Sequence, residues 1–259
     1  MTSQMLAHGT VEADFHGAGP TLVLFHSLLA DRTSFDGIVP SLAETHRVVV
    51  PALPGFGRSA RVDGGLEAVA DRMAEALGEL AAAGPITLLG NGYGGFVALM
   101  LAIRYPALAA RLVIADAGAC FSEPGRAAFR GMAMGAAAKG LEGIADIAMR
   151  RLFAADFHAA NPDLVAVRRA LFLQTDVAVV IAACEALAEL NLRGQIGSVS
   201  VPVLVVCGAL DEATPVAMSE ELAGLLPRGE LVVLAGLAHV PQLQEAKRFL
   251  QAVGHVLAE

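Results

Sequence analysis

The feature that most constrains this chain is residues 85–103, PITLLGNGYGGFVALMLAI. Ile86 to Leu89 is a short apolar run bounded by Gly84-Pro85 and Gly90. Such a run reads as a strand buried on both faces. Gly90-Asn91-Gly92-Tyr93-Gly94-Gly95 follows at once, and Phe96 to Arg104 is a run of good helix formers. The order predicts strand, tight glycine turn, helix. Glycine suits the outer positions because strand and helix pack too closely there for a side chain. The central residue of such a turn is held in a strained conformation, with its side chain aimed outward. Here that residue is Gly92, so the frame is present and the side chain is not.

The rest of the chain repeats the alternation. Val11 to Phe15, Thr21 to Phe25, His46 to Val50, Leu112 to Ala115, Val201 to Cys207 and Glu230 to Leu234 have strand character, separated by turns or helical stretches. Leu66 to Ala83 carries Val69, Met73, Leu77 and Leu80 at helical spacing, and Glu245 to Leu257 closes as a helix. From Phe121 to about Leu192 the strand signal stops, and helical periodicity takes over. The expected architecture is an α/β core over 1–120 and 193–259, a mostly parallel central sheet flanked by helices. An all-helical cap is inserted over 121–192. Ligands bind such sheets beyond the carboxyl ends of the strands. His26, Gly92, Asp116, Asp211 and His239 each fall just after a predicted strand, so they are placed to converge.

Composition narrows the function. Hydrophobic residues make up 55% of the chain against 17% charged, so a large core is affordable and long disorder is not expected. A net charge of −8 offers no basic excess to meet phosphates, which argues against nucleic-acid and anionic-membrane partners. No stretch approaches the ~18 uninterrupted apolar residues of a membrane span. The N-terminus lacks the basic and apolar regions of a secretion signal, and a cytoplasmic location is expected. Cys120, Cys184 and Cys207 are far apart in apolar surroundings, which suits buried free thiols and offers no metal-ligand spacing. Gly55-Phe56-Gly57-Arg58-Ser59 has the spacing of neither nucleotide fingerprint, so no cofactor or metal is expected. The oligomeric state is not legible.

Five motifs in order give the chain a recognisable resemblance to the α/β-hydrolase superfamily over nearly its whole length. They are His26-Ser27, Leu53-Pro54-Gly55-Phe56-Gly57-Arg58-Ser59, Gly90 to Gly95, Gly208-Ala209-Leu210-Asp211-Glu212-Ala213-Thr214-Pro215 and Ala238-His239. Within it the chain looks most like the 3-oxoadipate enol-lactonase group. That narrower similarity is carried by Arg151-Leu152-Phe153, Ala159 to Pro162, Gln174-Thr175-Asp176 and Ala182 to Leu187. The 90–95 turn corresponds to the nucleophile elbow, G-x-S-x-G, with Gly92 at the serine position. Ala52 stands where an acidic residue commonly precedes the Pro-Gly turn, and Ala238 where glycine usually precedes the histidine.

The resemblance implies a small-molecule ester or lactone substrate. His239 is the candidate general base, since imidazole titrates near neutral pH. Asp211 is the candidate partner that orients it, and Asp116 the fallback acid. Leu28 and Tyr93 are expected to offer backbone N–H groups to an oxyanion hole, a role that Gly92 does not abolish. His26, Ser27 and Cys120 are expected around the substrate pocket. Ser27 could supply a hydroxyl, although it lies off the elbow that activates a nucleophile. Of the cap arginines Arg126, Arg130, Arg150, Arg151, Arg168 and Arg169, one or two could meet a substrate carboxylate. Three readings follow. One is a hydrolase in which His239 and Asp211 activate water in the room left at Gly92. Another is a non-catalytic ligand binder that kept the pocket. The third is a serine esterase whose nucleophile has been replaced.

Overall fold

The computed structural model describes residues 2–81 and 84–258. Eight strands form one sheet in the order β1-β2-β4-β3-β5-β6-β7-β8. They are β1 (Thr2–Leu6), β2 (Val11–His16), β3 (Thr21–Phe25), β4 (Arg47–Pro51), β5 (Ile86–Asn91), β6 (Ala109–Ala115), β7 (Val203–Gly208) and β8 (Gly229–Leu234). β1 and β2 run antiparallel at one edge, and β4 through β8 continue with β3 as a parallel sheet. The helices are α1 (Val39–Leu42), α2 (Gly65–Ala81), α3 (Tyr93–Arg104), α4 (Glu123–Lys139), α5 (Ala145–Leu152), α6 (Ala155–Ala160), α7 (Pro162–Phe172), α8 (Val177–Glu189), α9 (Val216–Leu225), α10 (Pro241–Gln244) and α11 (Ala246–Leu257).

The continuous apolar strands are explained by cover on both faces. Successive residues of a strand point to opposite sides. Val23 and Phe25 of β3 therefore join the core under α2 and α3, while Leu22 and Leu24 join the core under α1 and α11. α3 is the most enclosed helix, buried from Tyr93 to Ala102. Between β6 and β7 the described chain forms no named strand, only α4 to α8 and two short 3-10 turns. α4 packs on α8, and Arg168 of α7 donates to Thr33 Oγ1 beyond β3 at 2.8 Å. No single described helix is long and apolar enough to cross a membrane.

Two differences from the sequence-based expectation have simple causes. β1 was not expected, because Thr2 to Met5 are exposed on an edge strand and carry no hydrophobic alternation. His46, expected as the first residue of a strand, precedes β4 and is buried, with its ring bonded to Thr45 Oγ1 and the Leu257 carbonyl. The helix expected over 66–83 spans Gly65–Ala81, and residues 82 and 83 lie outside the described part. The Gly55 to Ser59 loop is a brace. Glu12 accepts from Arg58 N–H at 3.0 Å and Nε at 2.9 Å, and Ser59 Oγ donates to the Ala52 carbonyl at 2.7 Å.

Glycine at 94 is required by contact. A Cβ there would lie 2.2 Å from the Phe25 carbonyl oxygen, which is main chain of a central strand and cannot step aside. Overpacking costs ~1–3 kcal/mol and occasionally more. A change of 1 kcal/mol moves the midpoint of a domain of this size by ~2–4 °C. Gly94→Ala is therefore expected to lower the thermal midpoint by ~2–12 °C or to leave no soluble protein. Gly78→Ala, which has nothing within 4 Å of the added methyl, is expected to be neutral or stabilising. Calorimetry on the pair checks this.

Candidate active site

The site lies where β3, β5, β7 and β8 end. β5 stops at Asn91, and Gly92 turns the chain with φ 53° and ψ −118° before α3 begins at Tyr93. The turn is fixed by main-chain bonds: Gly92 N–H to the Ala115 carbonyl at 2.9 Å, and Gly94 N–H to the His26 carbonyl at 3.1 Å. A side chain at 92 would be directed straight at two groups. Its Cβ would lie 2.5 Å from Ser27 Oγ and 2.7 Å from His239 Nε2. The expected room for a water in place of the missing hydroxyl is thus taken by a serine hydroxyl and an imidazole, because the β3 loop closes onto the bare glycine.

His239 follows β8 and is buried to 6% exposure. Its Nδ1 lies 2.9 Å from Asp211 Oδ2. Asp211 follows β7 and also accepts from Ala213 N–H (2.7 Å), Thr214 N–H (3.1 Å) and Thr214 Oγ1 (2.5 Å). Burial alone would raise the Asp211 carboxyl. The His239 imidazole and the Thr214 bonds outweigh it and hold the group below the ordinary carboxylate value. With Nδ1–H donated to Asp211, Nε2 is free to accept a proton, and its described partner is Ser27 Oγ at 3.4 Å. Asp116, the fallback acid, sits behind Asp211. It is fully buried, and burial, then the Asp211 charge, push its carboxyl well above the usual range. It accepts from Gly208 N–H at 2.8 Å and has no bond to the imidazole among the described contacts.

Neither Leu28 nor Tyr93 uses its backbone N–H in a described hydrogen bond. Tyr93 is the first residue of α3, where an unsatisfied N–H and the positive end of the helix dipole coincide. The two amides therefore remain available to an oxygen that gains charge.

The three residues expected around the pocket have separate positions. His26 is fully buried and is a brace. Its Nδ1–H donates to the Ser27 carbonyl at 2.9 Å, and its Nε2 accepts from Leu53 N–H at 3.1 Å, which fixes the tautomer. Cys120 is buried, with Sγ accepting from Arg126 Nη2 at 3.1 Å, and pairs with Asn191 in an isolated bridge. Ser27 alone reaches the imidazole. All three cysteines are free and buried, and burial pushes the Cys184 and Cys207 thiols up to about 12. A cavity of about 1180 Å³ lies between the helices and the β7 and β8 loops, with Arg151, Phe153, His158, Asp211, Glu212 and Ala238 in its wall.

Several supporting residues were not singled out from the sequence. Asn91 Nδ2 donates to the His239 carbonyl at 2.8 Å, and Gln242 Nε2 donates to Asn91 Oδ1 at 3.1 Å. Gln244 Oε1 accepts from Ala238 N–H at 2.6 Å. The available signal was Asn91 itself, a polar residue ending an otherwise apolar buried strand.

Strained turn, imidazole, carboxylate and free amides at the carboxyl edge of a parallel sheet define the class. A family model described as the alpha/beta hydrolase fold matches residues 20–246, and the chain belongs to that family. It is 31% identical over 266 residues to a pimeloyl-[acyl-carrier protein] methyl ester esterase of Aeromonas hydrophila, covering 95% of this chain and 98% of that protein. It is 30% identical over 171 residues to 3-oxoadipate enol-lactonase 2 of Acinetobacter baylyi, covering 66% of this chain and 63% of that protein. The crystal structure of the enol-lactonase from Burkholderia xenovorans superposes with a TM-score of 0.89 at 25% identity, covering 100% of both chains. The expected resemblance to enol-lactonases is thereby borne out.

His26 makes stability depend on pH. Burial, only partly offset by its bond to the Ser27 carbonyl, lowers its pKa from 6.5, so the folded state resists the proton that the unfolded chain accepts. Its contribution is complete above 6.5 and is lost as pH falls below that value, at up to ~1.4 kcal/mol per pH unit. Asp116, whose carboxyl is pushed up, contributes an opposite slope that wild type and variant share, so the stability difference between wild type and His26→Gln in urea across a pH series is expected to show the His26 slope.

Proposed function

We propose that this chain hydrolyses a small carboxylic ester or lactone, with His239 as general base. Asp211 holds the imidazole in the tautomer that leaves Nε2 basic and stabilises the imidazolium once formed. His239 takes the proton from the oxygen that attacks the substrate carbonyl. The N–H groups of Leu28 and Tyr93 stabilise the oxyanion, and His239 returns the proton to the leaving alkoxide. The observation that carries the proposal is the 2.9 Å His239–Asp211 bond, with Nε2 turned to the strained Gly92 turn. Relatives named as esterases and enol-lactonases support the same substrate class. Helices α4 to α8 form the cap that selects the acyl or alcohol group.

The test is hydrolysis of p-nitrophenyl acetate and butyrate and of small lactones. His239→Ala is expected to lower kcat/KM by ~10²–10⁴-fold. Asp211→Asn should lower it by ~10²-fold or more through the wrong tautomer. Both variants should keep the wild-type circular dichroism spectrum. Binding of these compounds with no turnover would replace this reading with that of a non-catalytic binder.

A carboxylate on the substrate is favoured by one side chain. Arg126, Arg130, Arg168 and Arg169 are already engaged by backbone, acidic or hydroxyl partners, and Arg150, also in the cavity wall, is exposed to solvent. Arg151 is half-buried in the cavity wall and has no acidic partner within bonding distance among the described residues, only the Phe129 ring 5.2 Å from its guanidinium carbon. Burial lowers its pKa, meaning its charge has lost water that an anion would replace. Arg151→Leu should raise KM ~10-fold or more for a half-ester of a dicarboxylic acid and leave KM for the neutral methyl ester within ~2-fold.

A further inference from the structure

We propose that Ser27 is the nucleophile, supplied from the loop after β3 to a turn that carries none. The inference rests on the hydrolase reading above and names the oxygen that His239 deprotonates. Three observations carry it. Ser27 Oγ lies 2.5 Å from where a Cβ at position 92 would stand, so it occupies the space into which the elbow would present its side chain. Its one described hydrogen-bond partner is His239 Nε2, at 3.4 Å. That is the long end of the range, as nucleophile–base pairs often are before substrate binds. Third, the free N–H groups belong to Leu28 and Tyr93, the residues immediately after Ser27 and after Gly92. One donor thus comes from each of the two chain segments that meet at the hydroxyl.

Bare glycine at 92 is what admits the hydroxyl. A Cβ would force Ser27 Oγ or the imidazole to move, since 2.5 Å and 2.7 Å are closer than such atoms approach. Serine at 27 and glycine at 92 are therefore sterically linked. Two of the buried cysteines do not compete, since burial pushes the Cys184 and Cys207 thiols up to about 12.

The chemistry balances as in acyl transfer through a covalent ester. Ser27 Oγ forms a bond to the acyl carbon while its proton passes to His239 Nε2. The bond from acyl carbon to leaving oxygen breaks, and that oxygen takes the proton from His239. Water then adds to the acyl carbon, giving one proton to His239. The bond from Oγ to the acyl carbon breaks, and Ser27 recovers its proton as the acid departs.

The test is labelling with a fluorophosphonate, read by intact mass and peptide mapping, alongside ester hydrolysis. Expected are one adduct on the peptide containing Ser27, its loss in Ser27→Ala and in His239→Ala, and a drop in kcat of ~10³-fold or more in Ser27→Ala. Thermal melting of Ser27→Ala within a few degrees of wild type separates chemistry from folding. A second pair of variants reads the steric link. Gly92→Ser alone should fold poorly or label weakly, whereas Ser27→Gly/Gly92→Ser should restore labelling with the adduct moved to the peptide containing position 92. Ester turnover that survives Ser27→Ala at the wild-type rate, with no adduct on Ser27, overturns the inference and leaves the hydrolase reading standing. An adduct on Ser27 in a protein that turns over no ester or lactone supports the nucleophile and counts against the hydrolase reading.

Discussion

The contact on which the rest depends is main chain against main chain. The turn after β5 is pressed onto the end of β3, with Gly94 N–H bonded to the His26 carbonyl at 3.1 Å. Any side chain at 94 would enter the Phe25 carbonyl. This approach determines what lies beside Gly92. In a looser packing, Ser27 would be an ordinary loop residue. In this one its hydroxyl is delivered to the imidazole of His239, a residue 212 positions further along the chain.

A polar layer under this contact keeps the imidazole in place. Asn91, at the end of β5, holds the His239 carbonyl, and Gln242 holds Asn91 in turn. Thr214 and two backbone amides converge on Asp211. Two buried carboxyl groups, Asp116 and Asp211, lie close together, and their environments drive them apart. Asp211 is bonded to the imidazole and is held low, whereas burial and the neighbouring Asp211 charge push Asp116 up despite its bond from the Gly208 amide. The pair therefore keeps a single negative charge where the histidine can use it. The 2.9 Å bond makes Asp211, not Asp116, the partner of the His239 ring, a choice that position after a strand could not make.

The order of strands and helices was legible because a parallel sheet covered on both faces needs continuous apolar strands. Thr21 to Phe25, Ile86 to Leu89 and Val203 to Cys207 satisfy that need without ambiguity. β1 was not legible, since an exposed edge strand buries almost nothing and leaves no pattern. The convergence of His239 and Asp211 beyond the strand ends was legible through motif order. Asn91, Thr214 and Gln242 were not, because each acts through a partner distant in sequence. Cys120 and His26 were expected around the substrate pocket. The first is engaged by Arg126, and the second has both ring nitrogens bonded to backbone, so they shape the loops behind the site.

The sequence by itself determined the α/β layering, the glycine turn, the missing side chain at 92 and the placement of His239 and Asp211 after strand ends. These follow from local pattern and from the few residue types that can serve such a turn. Only the tertiary structure decided what fills the space next to Gly92. That depends on how close two strand ends come and which way a small side chain points, and neither distance nor direction is written in local sequence.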